Sequence, residues 1–250
     1  MPGPGAPPAF IMGILVRENL RILLLSAVLV TYNNAAAFMP DRIRDPIYVP
    51  MNLLALGLLL LWAVKGIHLG NEHLGLIRNG ALPAGALGLL VGLAVPAPLF
   101  ISVVLPHAVI RVATNLGILD MPTWELVYRT AVRLPLGTAL WEEIAFRGVL
   151  YGLWNRAHGG AAALVGSSVV FGLWHVAPTY QSLTAAEVLD SRPLLVGAMA
   201  GAVVVTFVGG LMFGLLRIYS RNIVGCIVCH WLINSLTTVA FFMGGSVLRQ

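Results

Sequence analysis

Residues 141–152 read WEEIAFRGVLYG, and the side chains that could do chemistry are already crowded there. Glu142, Glu143 and Arg147 stand in a run that is otherwise apolar, with Trp141, Ile144, Ala145, Phe146, Val149, Leu150 and Tyr151 around them. A charge at the centre of a bilayer helix costs roughly 2.5–3.5 kcal/mol on insertion scales, so a charge kept there is a functional residue by default. Glu143 and Arg147 are i,i+4 with the acid N-terminal, the favourable order, and can neutralise each other. Glu142 points about 100° away from Glu143. It lacks that partner, so it must find another, stay protonated or face water. Two further stretches carry polar groups in apolar runs. In FGLWHVAP, residues 171–178, His175 follows Phe171 by one turn on the same face. In CHWLINS, residues 229–235, His230 and Asn234 are i,i+4 and face one neighbour. A single histidine is more often a packed, hydrogen-bonded residue, and a polar pair can simply glue helices together. A carboxylate, two imidazoles and an amide on three separate apolar segments are jointly too many for glue. They point to acid–base and hydrogen-bond chemistry inside an apolar bundle.

The elements that must position these groups are membrane helices. The chain has 250 residues, of which 58% are hydrophobic and only 10% charged, with a mean hydropathy of +0.88. A soluble domain carries about 25% charged residues, and a buried soluble helix rarely needs the roughly 18-residue apolar runs that recur here. The fold class is therefore all-α, a polytopic transmembrane helix bundle with the site inside it. One integral membrane domain is expected over residues 1–250. Hydropathy and breaks place spans at Arg21–Met39, Met51–Leu69, Leu82–Leu105, Pro135–Trp154, Ala161–Ala177, Leu194–Ile218 and Ile223–Met243. Between the third and fourth, LDMPTWELVYRTAVRLP puts Arg129 and Arg133 on one face of a short interfacial helix that Pro135 ends or kinks. Counting that segment, or Phe10–Val16, raises seven spans to eight. The longest polar loop, residues 178–193, reads as a connector that could border a site.

The net charge is +5 and almost all the cation is arginine, scattered singly near the ends of apolar runs. That pattern suits anionic headgroups and topology signals, and it excludes a nucleic-acid patch, which would cluster. Arg17, Arg21, Lys65, Arg78, Arg156, Arg217 and Arg221 share one side; Asp41, Asp45, Asp120, Glu187 and Asp190 fall mostly on the other. The balance leans to a cytoplasmic N-terminus. Residues 1–20 read as a leader, flexible or interfacial, with a Pro/Gly-rich start and neither a basic n-region nor a cleavage site, so the first span is expected to act as its own insertion signal. Gly88 with Gly92, Gly148 with Gly152, Gly197 with Gly201 and Gly210 with Gly214 are small residues at i,i+4, which favour close packing within the bundle over dimerisation. No long-range repeat suggests a transporter with inverted halves. CIVCH, residues 226–230, matches a haem-attachment string by chance, deep in an apolar run. HLGNEH, residues 68–73, has neither zincin spacing and reads as a polar loop.

EEIAFRG, with Glu142, Glu143 and Arg147, resembles the E-E-x-x-x-R motif of the CAAX protease and bacteriocin-processing family. FGLWH resembles its F-x-x-x-H, and HWLIN its H-x-x-x-N, in the expected order, within a motif-bearing half at about residues 124–246. The resemblance implies an intramembrane endopeptidase of the type II CAAX prenyl protease kind, whose eukaryotic relatives remove the last three residues after a prenylated cysteine. It implies that Glu142 and His175 activate the water, that His230 and Asn234 stabilise the oxyanion, and that Glu143, Arg147 and Phe171 support them. Shielding from water makes a carboxylate a better base, and paired donors suit a tetrahedral intermediate. No cofactor and no metal is implied. The expected partners are a peptide or protein substrate, prenylated substrates included, and the lipid bilayer of a prokaryotic cell membrane. Two other readings stand beside this one. Glu142, His175 and His230 could hold zinc, although no local H-x-x-x-H pair anchors it. Alternatively the fold serves as a non-proteolytic immunity or scaffold protein.

Overall fold

A computed structural model describes residues 9–95, 121–185 and 191–248. Every regular element among them is helical. In chain order they are α1 (Ala9–Ala37), α2 (Asp41–Leu61, prolonged by a wide π-type turn at Trp62–Gly66), α3 (Asn71–Leu74) and α4 (Ala81–Ala94). Then come α5 (residues 123–158), α6 (Gly160–Trp174), α7 (Val176–Ala185), α8 (Arg192–Ser220) and α9 (Val224–Leu248). Helix α1 starts inside the expected leader, at Ala9; residues 1–8 lie outside the described residues.

Four helices among the described residues are long and apolar enough to cross a bilayer: Asp41–Gly66, Gly160–Thr184, Arg192–Ser220 and Val224–Met243. Seven to eight were expected. The third expected span, Leu82–Leu105, appears as the shorter apolar helix Ala81–Ala94 and then runs beyond Val95, out of the described residues. The fourth, Pro135–Trp154, is helical throughout but carries Glu142, Glu143 and Arg147 and is not among these four. Leu54, Leu58 and Leu61 on α2, and Val204, Val205 and Val208 on α8, are exposed, as expected for faces turned to lipid. Helices of this kind make the chain an integral membrane protein.

Helix α5 departs from expectation. Residues 123–158 run as one helix straight through Pro135, which does not end it. The stretches Arg129–Ala139 and Ile144–Leu150 are π-helical. The wider π turn relieves the clash that a proline ring makes with the carbonyl one α-turn back, and it leaves carbonyls free for outside donors. Asn52 of α2 donates to the Gly137 carbonyl (2.8 Å), and Trp231 of α9 donates to that of Thr130 (2.7 Å). The stretch expected as a polar connector is also helical as far as Ala185, with residues 186–190 outside the described residues. Glu187 and Asp190, like Asp120, therefore carry no structural account.

Three of the four glycine pairs sit at close helix contacts. A side chain at Gly88 would strike the backbone of Gly225 on α9, and one at Gly210 would press on Ser168 of α6. Gly148 and Gly152 meet the Leu74 and His73 carbonyls. Among the described residues, Gly197 and Gly201 have nothing within 4 Å. The main apolar core joins Ile22, Leu25 and Leu29 of α1 to Leu56 of α2, to Phe146 and Leu150 of α5, and to Phe171 and Trp174 of α6.

The two bundle ends differ. At one, Arg156 Nη1 donates to the Ile67 carbonyl (3.0 Å) and Arg217 Nη2 to that of Glu72 (2.8 Å), while Glu18 accepts from Arg156 Nη2 (2.6 Å). At the other, Arg133 pairs with Asp45 (3.1 Å), and Arg44 with Asp41. Gly75, at φ +72°, lies where the Arg217 guanidinium passes, so no side chain would fit there.

Candidate functional site in the helix bundle

The α-helical turn Leu140–Glu143 sends two consecutive carboxylates to different surroundings. Glu143 is fully buried, and its Oε1 accepts from Arg147 Nη1 (3.2 Å) and from His230 Nδ1 (2.7 Å). Arg147, 1% exposed, also donates to the Gly210 carbonyl (3.2 Å). Its guanidinium carbon stands 4.1 Å from the Phe171 ring centroid and 5.0 Å from that of Phe213. A buried charge is tolerated only when paired and hydrogen-bonded, and this arginine has an anion, a carbonyl and two aromatic faces.

Glu142 is treated differently. It is buried, and its side chain has no hydrogen-bond partner among the described residues. It lines a cavity of about 620 Å³ together with His175, Trp174, Tyr48, Asn33 and Arg133. Pro178, Gln181 and Ser182 of α7 border the same space, so the segment expected as a connector forms part of its wall.

His175 ends α6, where the backbone leaves the helix at φ −93°, ψ 1°. Its Nδ1 lies 2.8 Å from the Phe171 carbonyl. A carbonyl only accepts, so Nδ1 carries the proton and the neutral ring keeps a lone pair on Nε2. Phe171 thus touches both halves of the site, with its ring 4.7 Å from that of His175 and its face under Arg147.

His230 is 5% exposed and stacks on Phe213 at 4.9 Å. Since Glu143 Oε1 already accepts from Arg147, the His230 contact is a second donation into the same oxygen. A neutral His230 therefore also keeps its lone pair on Nε2. It donates from Nε2 only as the imidazolium. Asn234 is half-buried, and its side chain makes no hydrogen bond among the described residues; its carbonyl accepts from Thr238 Oγ1 (2.8 Å). Neither His230 nor Asn234 is among the residues lining the Glu142 cavity. The structure thus unites Glu142 with His175, and separately Glu143, Arg147, Phe171 and His230. Among the described residues, no group of three His, Cys, Asp or Glu side chains is disposed to hold a metal.

Several residues outside the three motifs hold the site. Asn33 Nδ2 donates to the Trp174 carbonyl (2.9 Å) and Asn34 Nδ2 to that of Leu173 (3.1 Å). Asn34 Oδ1 in turn accepts from the Ala177 amide (2.6 Å). Helix α1 thereby clamps both sides of His175. Tyr48 hydrogen-bonds Thr138 (3.0 Å) and lies 4.4 Å under the Arg133 guanidinium. An asparagine within or beside an apolar run was the only available signal for α1.

Residues 123–236 match the family described as type II CAAX prenyl endopeptidase Rce1-like. No curated protein and no solved structure matches the chain. The matched stretch begins at the first residue of α5, ends in α9, and includes every residue of the two clusters around Glu142 and Glu143 named by the motifs. Residues 123–236 therefore form a domain of the Rce1-like type II CAAX prenyl endopeptidase kind, a family of proteases.

Proposed function

We propose that the protein is an intramembrane endopeptidase in which Glu142, with His175, takes the proton of the attacking water. The observation that carries this reading is the contrast between neighbours: Glu143 is tied by an arginine and a histidine, while Glu142 faces a cavity with no partner of its own. The lone pair left on His175 Nε2 gives the same cavity a second base. A general base needs a free lone pair within reach of the water it deprotonates, and both groups offer one. His230 and Asn234 are assigned to the developing oxyanion, and Glu143 to orienting the His230 ring through its Nδ1. The family match makes a protein C-terminus bearing a prenylated cysteine the substrate to test first. Purified protein should cleave such a peptide, and Glu142→Gln, nearly isosteric, should stay folded and lose at least about 10²-fold in turnover. Wild-type turnover in that variant, at matched expression, would remove Glu142 from the role of base.

One observation favours the zinc reading. Both His175 and His230 hold Nδ1–H against an acceptor and leave Nε2 bare, and a carboxylate behind a histidine is the usual support of a metal ligand. The chemistry then differs: a metal-bound water loses activity when the ion is removed, and a Glu–His pair does not. On the Glu–His mechanism, prolonged chelation leaves cleavage unchanged. Loss restored by zinc alone would reassign the histidines as ligands.

A further inference from the structure

A second cavity, of about 460 Å³, lies at the opposite end of the bundle from Glu142, between α1 and the ends of α2 and α5. Arg17, Arg21, Arg156, Glu18, Ile67 and His68 form much of its wall. We propose that this cavity is a seat for the phosphate of an anionic glycerophospholipid.

Charge is the first argument. Glu18 is the single acid on the wall, and it is shared by Arg21 (2.5 Å) and Arg156 (2.6 Å). Arg17 is exposed and has no ion pair or side-chain hydrogen bond among the described residues. Three guanidinium groups against one carboxylate leave an excess of two positive charges. The Nε of Arg156, buried, also has no partner there. Guanidinium groups in this arrangement are suited to phosphate oxygens.

Depth is the second argument, and it selects the source. The wall includes Gly66, the last residue of one candidate span, and Ala157, just ahead of Gly160 where another begins. The cavity thus lies where spans leave the apolar layer, at the level of lipid phosphates. The third argument is the surface beside it. Ile14 and Leu15 continue the wall, and Val16, Leu20, Leu23 and Leu24 along α1 are all more than half exposed. An apolar face running from a basic cavity matches an acyl chain running from a headgroup. Basic pockets between membrane helices bind anionic headgroups on these grounds.

The test uses the full chain in neutral detergent, stripped of lipid. Short-chain phosphatidylglycerol, phosphatidylcholine and inorganic phosphate are titrated separately while the melting temperature is followed. Phosphatidylglycerol should raise it with a half-saturating concentration at least about 5-fold below that of phosphatidylcholine, and inorganic phosphate should not substitute. Arg17→Gln should weaken the phosphatidylglycerol effect about 5-fold, Arg17→Lys less than 2-fold, and Arg42→Gln, an exposed arginine at the other end, not at all. Equal responses to the two lipids would overturn the proposal, as would equal losses in Arg17→Gln and Arg42→Gln. A full response to inorganic phosphate would replace the lipid with a soluble phosphate compound. None of these readouts depends on proteolysis.

Discussion

Glu142 and Glu143 adjoin in the chain and are set apart by a rotation of about 100° about the helix axis. That rotation points one to a cavity and the other to Arg147 and His230. The second contact makes Glu143 the acceptor for both Arg147 and His230. Glu143→Gln should lower stability by about 3–5 kcal/mol, because it leaves Arg147 buried without its counter-charge. The Gly210 carbonyl and the Phe171 and Phe213 faces remain, which favours the lower end of that range. A melting temperature equal to wild type would sink this account of Arg147. The Glu143–Arg147 spacing was legible in the sequence, because i,i+4 neighbours are fixed by helix geometry alone. The Glu143–His230 contact was not, because it depends on how α5 and α9 pack, and no local spacing encodes that. Its consequence for the His230 proton was likewise beyond reach.

At the scale of the elements, the sequence revealed which runs are helices and missed how α5 is wound. Pro135 reads as a breaker, yet the π-helical stretch around it absorbs the ring and hands the Gly137 carbonyl to Asn52. A π turn differs from an α turn by one residue of hydrogen-bond register, and apolar periodicity over a few turns does not resolve that. The first half of the chain reads as apolar filler for the same reason. Its braces are four single polar residues, Asn33, Asn34, Tyr48 and Asn52, each meaningful only by what it touches. Asn52 joins two of these contacts, since Tyr32 donates to its Oδ1 (2.5 Å). Asn52→Ala should therefore cost about 1–3 kcal/mol, the penalty for a buried carbonyl left without its donor. Turnover should fall too, since Glu142 follows Gly137 by five residues, about one turn of the same helix. Unfolding and single-turnover rates measured on one preparation check both; a stable variant with normal rates would mean that Gly137 finds water instead.

At the scale of the molecule, the bundle has one end where the Glu142 cavity meets the start of α2 and α7, and another where arginines outnumber acids around Glu18. The family match covers residues 123–236, and the polar ties from α1 and α2 brace that part from the first half of the chain. Glu18 ties the two halves at the basic end through Arg156, ahead of the apolar run that begins at Ile22. Burial pushes its pKa up, the hydrogen bonds and charges of Arg156 and Arg21 pull it down further, and the result lies below the ordinary 4.5. A carboxyl with a depressed pKa holds its proton less tightly folded than unfolded, so its contribution to stability is complete above the unfolded value. That contribution is lost as pH falls through the lower, folded value. The melting temperature in neutral detergent should therefore drop as pH is taken below about 4.5, and the step should be smaller in Glu18→Gln, which has no charge to lose. Near neutral pH the variant should be the less stable of the two, and the difference should close on acidification. A gap between variant and wild type that stays constant from neutral to acid pH would mean that the Glu18 bridges contribute nothing to holding α1 against α5.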